Sequence, residues 1–574
     1  MDFYNILASV TTLYITYNYA LTEKKAKHHW TISGTILMDL FLLLLCSGDV
    51  KQSGCSNKNY RPAAHNGIFL TIAIPMIHMG ELVADHNQGD DSLVLAQLWL
   101  SLGSVSSVIA RWLWVGKETS KVCLSFLIIS SGMIMIHLSS SIAFFLYGVD
   151  FLIVWSGLKF IPIWLPRSFT FGELAIVLQL LVGFINRFAF GCLESSWLVG
   201  ETFPLLMFTT TLLVTVVAAT CVTYVTFSHL SVWRFILTYV LFAAAALGFL
   251  HVTCPETPLL WLLHFTMKGC KRIWLVTTWF LILAITFTWT ANQSFVMKQV
   301  GSSSNETISY PWQISSSHIE CLKNVSAKFT SRKMFHIYIV LVYIPGLIVD
   351  PTFLFLASIV VFSLFIIVEA ARAWKVPVIG PCINDIQLLF VDERDQGHIF
   401  LTHFYLLLGM SLPLWLSPML FSTHQGTLEM YAGVLALGVG DTVACLSGRA
   451  IGFLHWPGSK KTIEGSICSI IAQMVLIAAG SFLGVVKITS MFTAFTGVIM
   501  AALAEAFTDQ IDNLILPLVL LTLELFSPNS IGLIVAAVNF SLHEMRTGNC
   551  VVKKSPCSGR ILAVLQSKRP AVRA

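Results

Sequence analysis

Apolar runs long enough to cross a bilayer recur from one end of this chain to the other, and nothing else in it restricts the fold as strongly. A transmembrane helix needs about 20 predominantly apolar residues. Candidate runs lie at 3–21, 31–45, 68–83, 93–110, 123–136, 142–154, 174–190, 203–224, 232–250 and 273–290. They resume at 335–349, 353–370, 399–420, 431–445, 467–484, 491–503, 514–526 and 531–540. Charged residues make up only 11% of the 574, against roughly 25% in a soluble domain. The expected fold class is therefore all-α, a polytopic transmembrane helical bundle with roughly 13–18 spans once neighbouring runs merge.

Composition narrows the partners. The net charge of +5 is small for this length, and no basic stretch is interleaved with aromatics, so nucleic acid is not an expected partner. Sixteen Trp and forty Phe suit interfacial belts and contact with membrane lipids. The thirteen cysteines are scattered singly, with no C-x-x-C, and read as small apolar thiols rather than metal ligands or disulfides. The N-terminus lacks the basic, apolar and small-residue series of a cleaved signal, so the first run reads as an uncleaved anchor.

Four regions follow from the pattern. Residues 1–291 form an N-terminal multi-span region, and residues 292–333 form a polar loop with N-x-[ST] sequons at Asn292, Asn305 and Asn324. Residues 334–545 form a second membrane region, and 546–574 a basic tail with seven cationic residues and no acidic one. Basic short loops stay cytosolic, so counting crossings back from the tail places the joints 505–513, 447–465 and 372–398 on the cytosolic side. The same parity places the 292–333 loop in the cytosol. That disagrees with use of its sequons, and the charge pattern is given the greater weight.

The polar residues of the second region gather at one membrane face: Arg332, Lys333 and His336, then Glu369 and Arg372, then Asp392, Glu393, Arg394 and Asp395. His398, His403, Asp441, Lys460, Lys461, Glu464, Glu505, Asp509 and Asp512 complete the set. Ionisable groups at a membrane boundary are expensive and mark function; Glu369, Asp441 and Glu505, at the ends of apolar helices, are the hardest to explain as ordinary loop polarity. The strongest local signal is Gly438-Val439-Gly440-Asp441-Thr442, followed by Trp456-Pro457-Gly458-Ser459-Lys460-Lys461-Thr462-Ile463-Glu464-Gly465. Glycines let a backbone approach phosphate, paired lysines neutralise it, and Thr462 is placed to cap the next helix. Asp441 suits Mg²⁺, which on a nucleotide takes one or two carboxylates plus phosphate oxygens. The alternative for this segment is a plain basic turn. No Walker A pattern and no protein-kinase motif set is present. Glu505, Asp509 and Asp512, spaced four and three apart, share one face if helical; a solvated helix start explains the spacing equally well.

In order, Arg332-Lys333-Met334-Phe335-His336, Asp392-Glu393-Arg394-Asp395-Gln396-Gly397, Leu401-Thr402-His403-Phe404-Tyr405, the Gly-Asp-Thr and Trp-Pro-Gly-Ser-Lys-Lys segments, and Gln510-Ile511-Asp512-Asn513 resemble the dolichol kinase family. More distantly they resemble phytol kinases and CTP-dependent cytidylyltransferases. The resemblance covers about residues 330–540, and no motif in the first half joins it; Cys445 stands where a Ser is expected. It implies an endoplasmic reticulum enzyme that uses CTP to phosphorylate dolichol, a polyprenol-type lipid, at a cytosol-facing site. The dolichyl phosphate product serves N-glycosylation and related sugar transfer. The family's CTP-binding segment maps to about residues 451–466.

With that resemblance, Gly440, Thr442, Trp456, Gly458, Ser459, Lys460, Lys461, Thr462, Glu464 and Gly465, together with Arg332 and Lys333, are expected to bind the nucleotide. Asp441 and Asp512 are expected to hold Mg²⁺, and Glu505, Asp509 or His336 to accept the proton of the lipid hydroxyl. The rival enzyme is a lipid cytidylyltransferase. A transporter is the rival from another class, disfavoured because the charges sit at one boundary and no inverted repeat is visible.

Overall fold

The computed structural model describes residues 59–61, 71, 73–84, 91–115, 141–193, 202–226, 231–254, 256–302, 335–387, 397–417, 426–488, 490–508 and 511–525. Arg332, Lys333, Asp509, the 392–395 run, the sequons Asn305 and Asn324 and the 546–574 tail lie outside the described residues.

Within them every element is helical; the sole β pairing consists of two isolated bridges. The first half comprises α1 (Ala73–Ala84), α2 (Asp91–Val115), α3 (Ser141–Trp164), α4 (Phe171–Leu193), α5 (Thr202–Thr226), α6 (Val232–Thr253), α7 (Pro258–Met267) and α8 (Cys270–Ser302). The second comprises α9 (Phe335–Val349), α10 (Pro351–Ala373), α11 (Ile379–Gln387), α12 (Thr402–Leu416), a π-helix (Val434–Asp441), α13 (Thr442–Ile451), α14 (Ile463–Phe482), α15 (Met491–Phe507) and α16 (Asp512–Glu524). Among the described residues seven helices are long and apolar enough to cross a membrane. The count becomes eight if α7 and the first part of α8, bent by 88°, form one broken span. The polytopic all-α class read from the sequence therefore stands. Helix α8 runs to Ser302, past the junction drawn at residue 291, and carries the Asn292 sequon within it.

Helix is the form that satisfies every backbone group inside its own segment, which lipid demands. The hydroxyls follow the same rule: Ser101, Ser104, Ser106 and Ser107 in α2, and Thr209, Thr220 and Thr223 in α5, donate to carbonyls one turn back. Cysteines 221, 254, 270, 382, 445 and 468 form no disulfide. Helices α6 and α8 turn large apolar side chains outward, as at Trp233, Leu241 and Phe280, the face a lipid-exposed helix presents.

Burial is deepest where α12 and α16 pack together, Phe404–Leu416 being almost wholly enclosed. The two halves are joined through this core. Tyr405 donates to Glu173 of α4 at 3.3 Å, and Arg187 of α4 donates to the Trp415 carbonyl at 2.8 Å. Around it the π-helix and α13–α16 form the packed group that carries the site.

Candidate functional site

The site is built by a reversal of the chain between α13 and α14. Ser459 N donates to the Trp456 carbonyl at 3.0 Å across Pro457 and Gly458, and Gly458 has φ +75°. Pro followed by a positive-φ Gly is the sequence a type II turn requires. The arms of the turn are paired by Trp456 N to the Lys461 carbonyl at 3.0 Å and Ile463 N to the Leu454 carbonyl at 2.8 Å. The Glu464 carboxylate receives Leu454 N at 3.0 and 3.2 Å. Thr462 caps α14 by accepting from Gly465 N at 3.3 Å, as its place before the helical run leads one to expect. Trp456 then fixes the turn against the bundle: its indole donates to Ser466 Oγ at 3.1 Å, and its ring lies 5.4 Å from Phe507 at the end of α15.

That docking delivers Lys461 to the end of α15. Its ammonium donates to Glu505 at 2.5 Å, with Glu505 4% exposed and the Lys461 side chain 38% exposed. Burial opposes charge on Lys461, but the fields of Glu505, Asp512 and Asp441 and the Glu505 hydrogen bond outweigh it and hold the ammonium above its ordinary range. Asp441 closes the π-helix, a form found mostly as single turns at functional sites, and Asp512 opens α16. His336, in α9, places Nε2 3.5 Å from Asp441 Oδ2, both side chains being buried. Five of the predicted residues, Lys461, Glu505, Asp441, Asp512 and His336, thus meet in space although they span four separate stretches of chain.

Other predicted residues serve the scaffold of this arrangement. Gly465 lets α14 cross α13 closely, since a Cβ there would lie 2.7 Å from the Ala444 carbonyl. Gly440 faces Gln473 in the same way, and Thr442 donates back to Leu437 at 3.4 Å. Ser459 Oγ accepts from Lys461 N at 3.2 Å, and Lys460 projects from the turn into solvent. Glu369 has a different task. It takes two hydrogen bonds from Arg372, at 3.0 and 2.5 Å, and one from Phe400 N at 2.6 Å. Arg372 also donates to the His398 carbonyl and lies 3.7 Å over the Phe400 ring. This clasp pins the segment before α12 to the end of α10.

Two contributors were not anticipated. Phe507 supplies the ring on which Trp456 rests, and Gln473 supplies the buried wall behind Gly440. Gln473 had a signal: Ser466, Ser469 and Gln473 recur at intervals of three and four in an otherwise apolar helix and are all buried.

Among the described residues no group of three or more His, Cys, Asp and Glu side chains is disposed to hold a metal ion unaided. Asp441 and Asp512, both acting on Lys461, offer the hard oxygen donors that suit Mg²⁺ when phosphate oxygens complete its shell.

Comparison with known proteins identifies the family of the chain. The family model for dolichol kinase matches residues 92–407. That match takes in the first half from residue 92 onward, where no motif was legible, and ends before the Lys461 turn. The dolichol kinases of Bos taurus and Mus musculus are each 32% identical over 502 residues, covering 82% of this chain and 88% of the relative. That of Homo sapiens is 32% identical over 497 residues, with the same coverage. No solved structure matches the chain. A family model matched over more than half of the sequence, and relatives aligned over most of both chains, agree: the chain belongs to the dolichol kinase family.

Proposed function

We propose that this protein transfers the γ-phosphoryl group of CTP to the hydroxyl of dolichol, at a cytosol-facing site in the endoplasmic reticulum membrane. Family membership supports dolichol as acceptor. The basic turn at Lys460 and Lys461 supports the cytosolic side by the positive-inside rule, and CTP rests on the resemblance. The observation that carries the reading is the meeting of Lys461 with Glu505, Asp441 and Asp512 beneath an ordered turn.

Phosphoryl transfer is mainly positioning and neutralisation of charge. The carboxylates around Lys461 keep it protonated, and its exposed end is open to phosphate oxygens, with Lys460 beside it on the turn. Once phosphate shares the ammonium, Glu505 is relieved of its ion pair and accepts the proton of the lipid hydroxyl as that oxygen bonds to the γ-phosphorus and CDP leaves. Asp441 orients His336 at the rear of the site. Mg²⁺ arriving with the nucleotide would neutralise β- and γ-phosphate charge, with Asp441 and Asp512 as its protein ligands. Trp456, anchored on Phe507, holds the turn that carries both lysines.

The test uses membranes from a host lacking its own activity, supplied with dolichol, Mg²⁺ and labelled nucleotide. Label from γ-labelled CTP in a lipid monophosphate is the expected result. Label from α-labelled CTP in the lipid would establish a cytidylyltransferase instead, and transfer from ATP alone would overturn the nucleotide assignment.

A further inference from the structure

A second polar locus lies in the first half of the chain and shares no residue with the Lys461 site. Where α1, α2, α3 and α4 meet they line a cavity of about 20 Å³, with His78, Gln97, Ser101, Ser104, Asp150, Gln179 and Asn186 on its polar side. Asp150 and Gln179 are 1% exposed and Asn186 is 4% exposed, inside apolar helices where such groups are costly. Their orientation is set by hydrogen bonds. The Gln179 amide nitrogen donates to the Thr71 carbonyl at 3.0 Å and to Ser104 Oγ at 3.1 Å. The Asn186 amide nitrogen donates to Asp150 Oδ2 at 2.7 Å. Ser101 and Ser104 give their protons to helix carbonyls at 2.7 Å. Asp150 Oδ1, Gln179 Oε1 and Asn186 Oδ1 are left as buried acceptors that meet no donor among the described residues.

The chemistry of this lining selects its guest. A buried acceptor without a donor is costly, and a water has two protons to offer three such oxygens. A cation in the same cavity would offer charge to these oxygens and balance the Asp150 carboxylate, where an uncompensated charge is most expensive. One carboxylate among neutral oxygens matches a single positive charge, and oxygen-only ligands suit a hard ion rather than a transition metal. The volume admits one water-sized guest. His78 is the other titratable residue of the lining, and no Lys or Arg contributes to it. We propose that this cavity is a binding site for one small monovalent cation of the sodium type, held by the oxygens of Asp150, Gln179 and Asn186.

The experiment uses the full chain in detergent micelles, with sodium chloride exchanged for choline chloride at equal ionic strength. Sodium is expected to raise the thermal unfolding midpoint saturably, by about a few degrees. Radiolabelled sodium should bind in a saturable manner, displaced by unlabelled sodium and not by choline. Both effects should vanish in Asp150→Asn and Gln179→Leu and persist in Lys461→Ala. Absence of saturable sodium binding to the folded wild type overturns the proposal whatever the variants do, leaving water or a protonated Asp150 in the cavity. Binding that survives in both cavity variants overturns it equally.

Discussion

Replacing Lys461 with alanine removes the proposed phosphate ligand and strands a buried carboxylate at the same stroke. Activity is expected to fall by about 10²-fold or more, the usual cost of losing a preorganised charge partner. Stability is expected to fall by about 1–3 kcal/mol because Glu505 is left buried without its donor. Steady-state kinetics and thermal unfolding of purified protein measure the two separately. Glu505→Gln keeps a hydrogen-bonding shape but cannot take a proton, so kcat should drop by about 10²–10⁴-fold with KM for the nucleotide little changed. The pH dependence has a definite sign. Lys461 binds its proton more tightly in the folded chain than in the unfolded one, so its contribution is complete below the ordinary value of 10.5. That contribution is lost only as pH rises beyond this value towards the raised folded one. The difference in unfolding midpoint between wild type and Lys461→Met should therefore stay constant from about pH 7 to 10; a decline within that range would contradict the assignment.

At the scale of the element, the turn between α13 and α14 is what converts neighbouring residues into a site. Gly458 has φ +75°, and a Cβ added there would meet nothing within 4 Å, so Gly458→Ala tests conformation without steric interference. It should cost about 1 kcal/mol and raise KM for the nucleotide more than it lowers kcat, because the lysines are misplaced rather than removed. Gly465→Ala acts differently. Its Cβ would press on the Ala444 carbonyl at 2.7 Å, and the α13–α14 crossing should open at a cost of about 1–3 kcal/mol, seen as a lower unfolding midpoint. The Thr462 cap was legible as Thr before a helical run, and a turn at Trp-Pro-Gly-Ser stood in the sequence as the alternative to a phosphate loop, because both depend on local backbone chemistry. The π-helix ending at Asp441 was not legible, since its extra residue per turn depends on packing against α14 and its neighbours that no local pattern records.

Across the whole molecule, the two halves cohere through a few buried polar contacts in an apolar core. Glu173 pairs with Arg61 and receives Tyr405 of the other half. Glu173→Ala leaves Arg61 uncompensated and should lower stability by about 3–5 kcal/mol, with activity at low temperature retained by whatever fraction folds. Topology belongs to this scale as well. In sealed microsomes whose cytosolic face is outward, Ser459→Cys should react with a membrane-impermeant maleimide without permeabilisation; labelling only after permeabilisation would place the turn in the lumen and reverse the proposed orientation.

What the sequence determined by itself is what short-range physics determines. The lengths and apolarity of the runs set the helical membrane class, and residues 335–349 are helical, as their apolar run suggested. The residue types at Asp441, Lys461 and Glu505 marked a charged membrane boundary, for the cost of charge near lipid is independent of fold. Only the tertiary structure decided which charges meet. Glu369 looked equivalent to Glu505 in sequence, each an acid near the end of an apolar helix, yet one clasps Arg372 and Phe400 while the other holds Lys461. Partners separated by 44 residues in one case and about a hundred in another are chosen by helix packing, and packing sums weak, long-range contacts that no single stretch of chain contains.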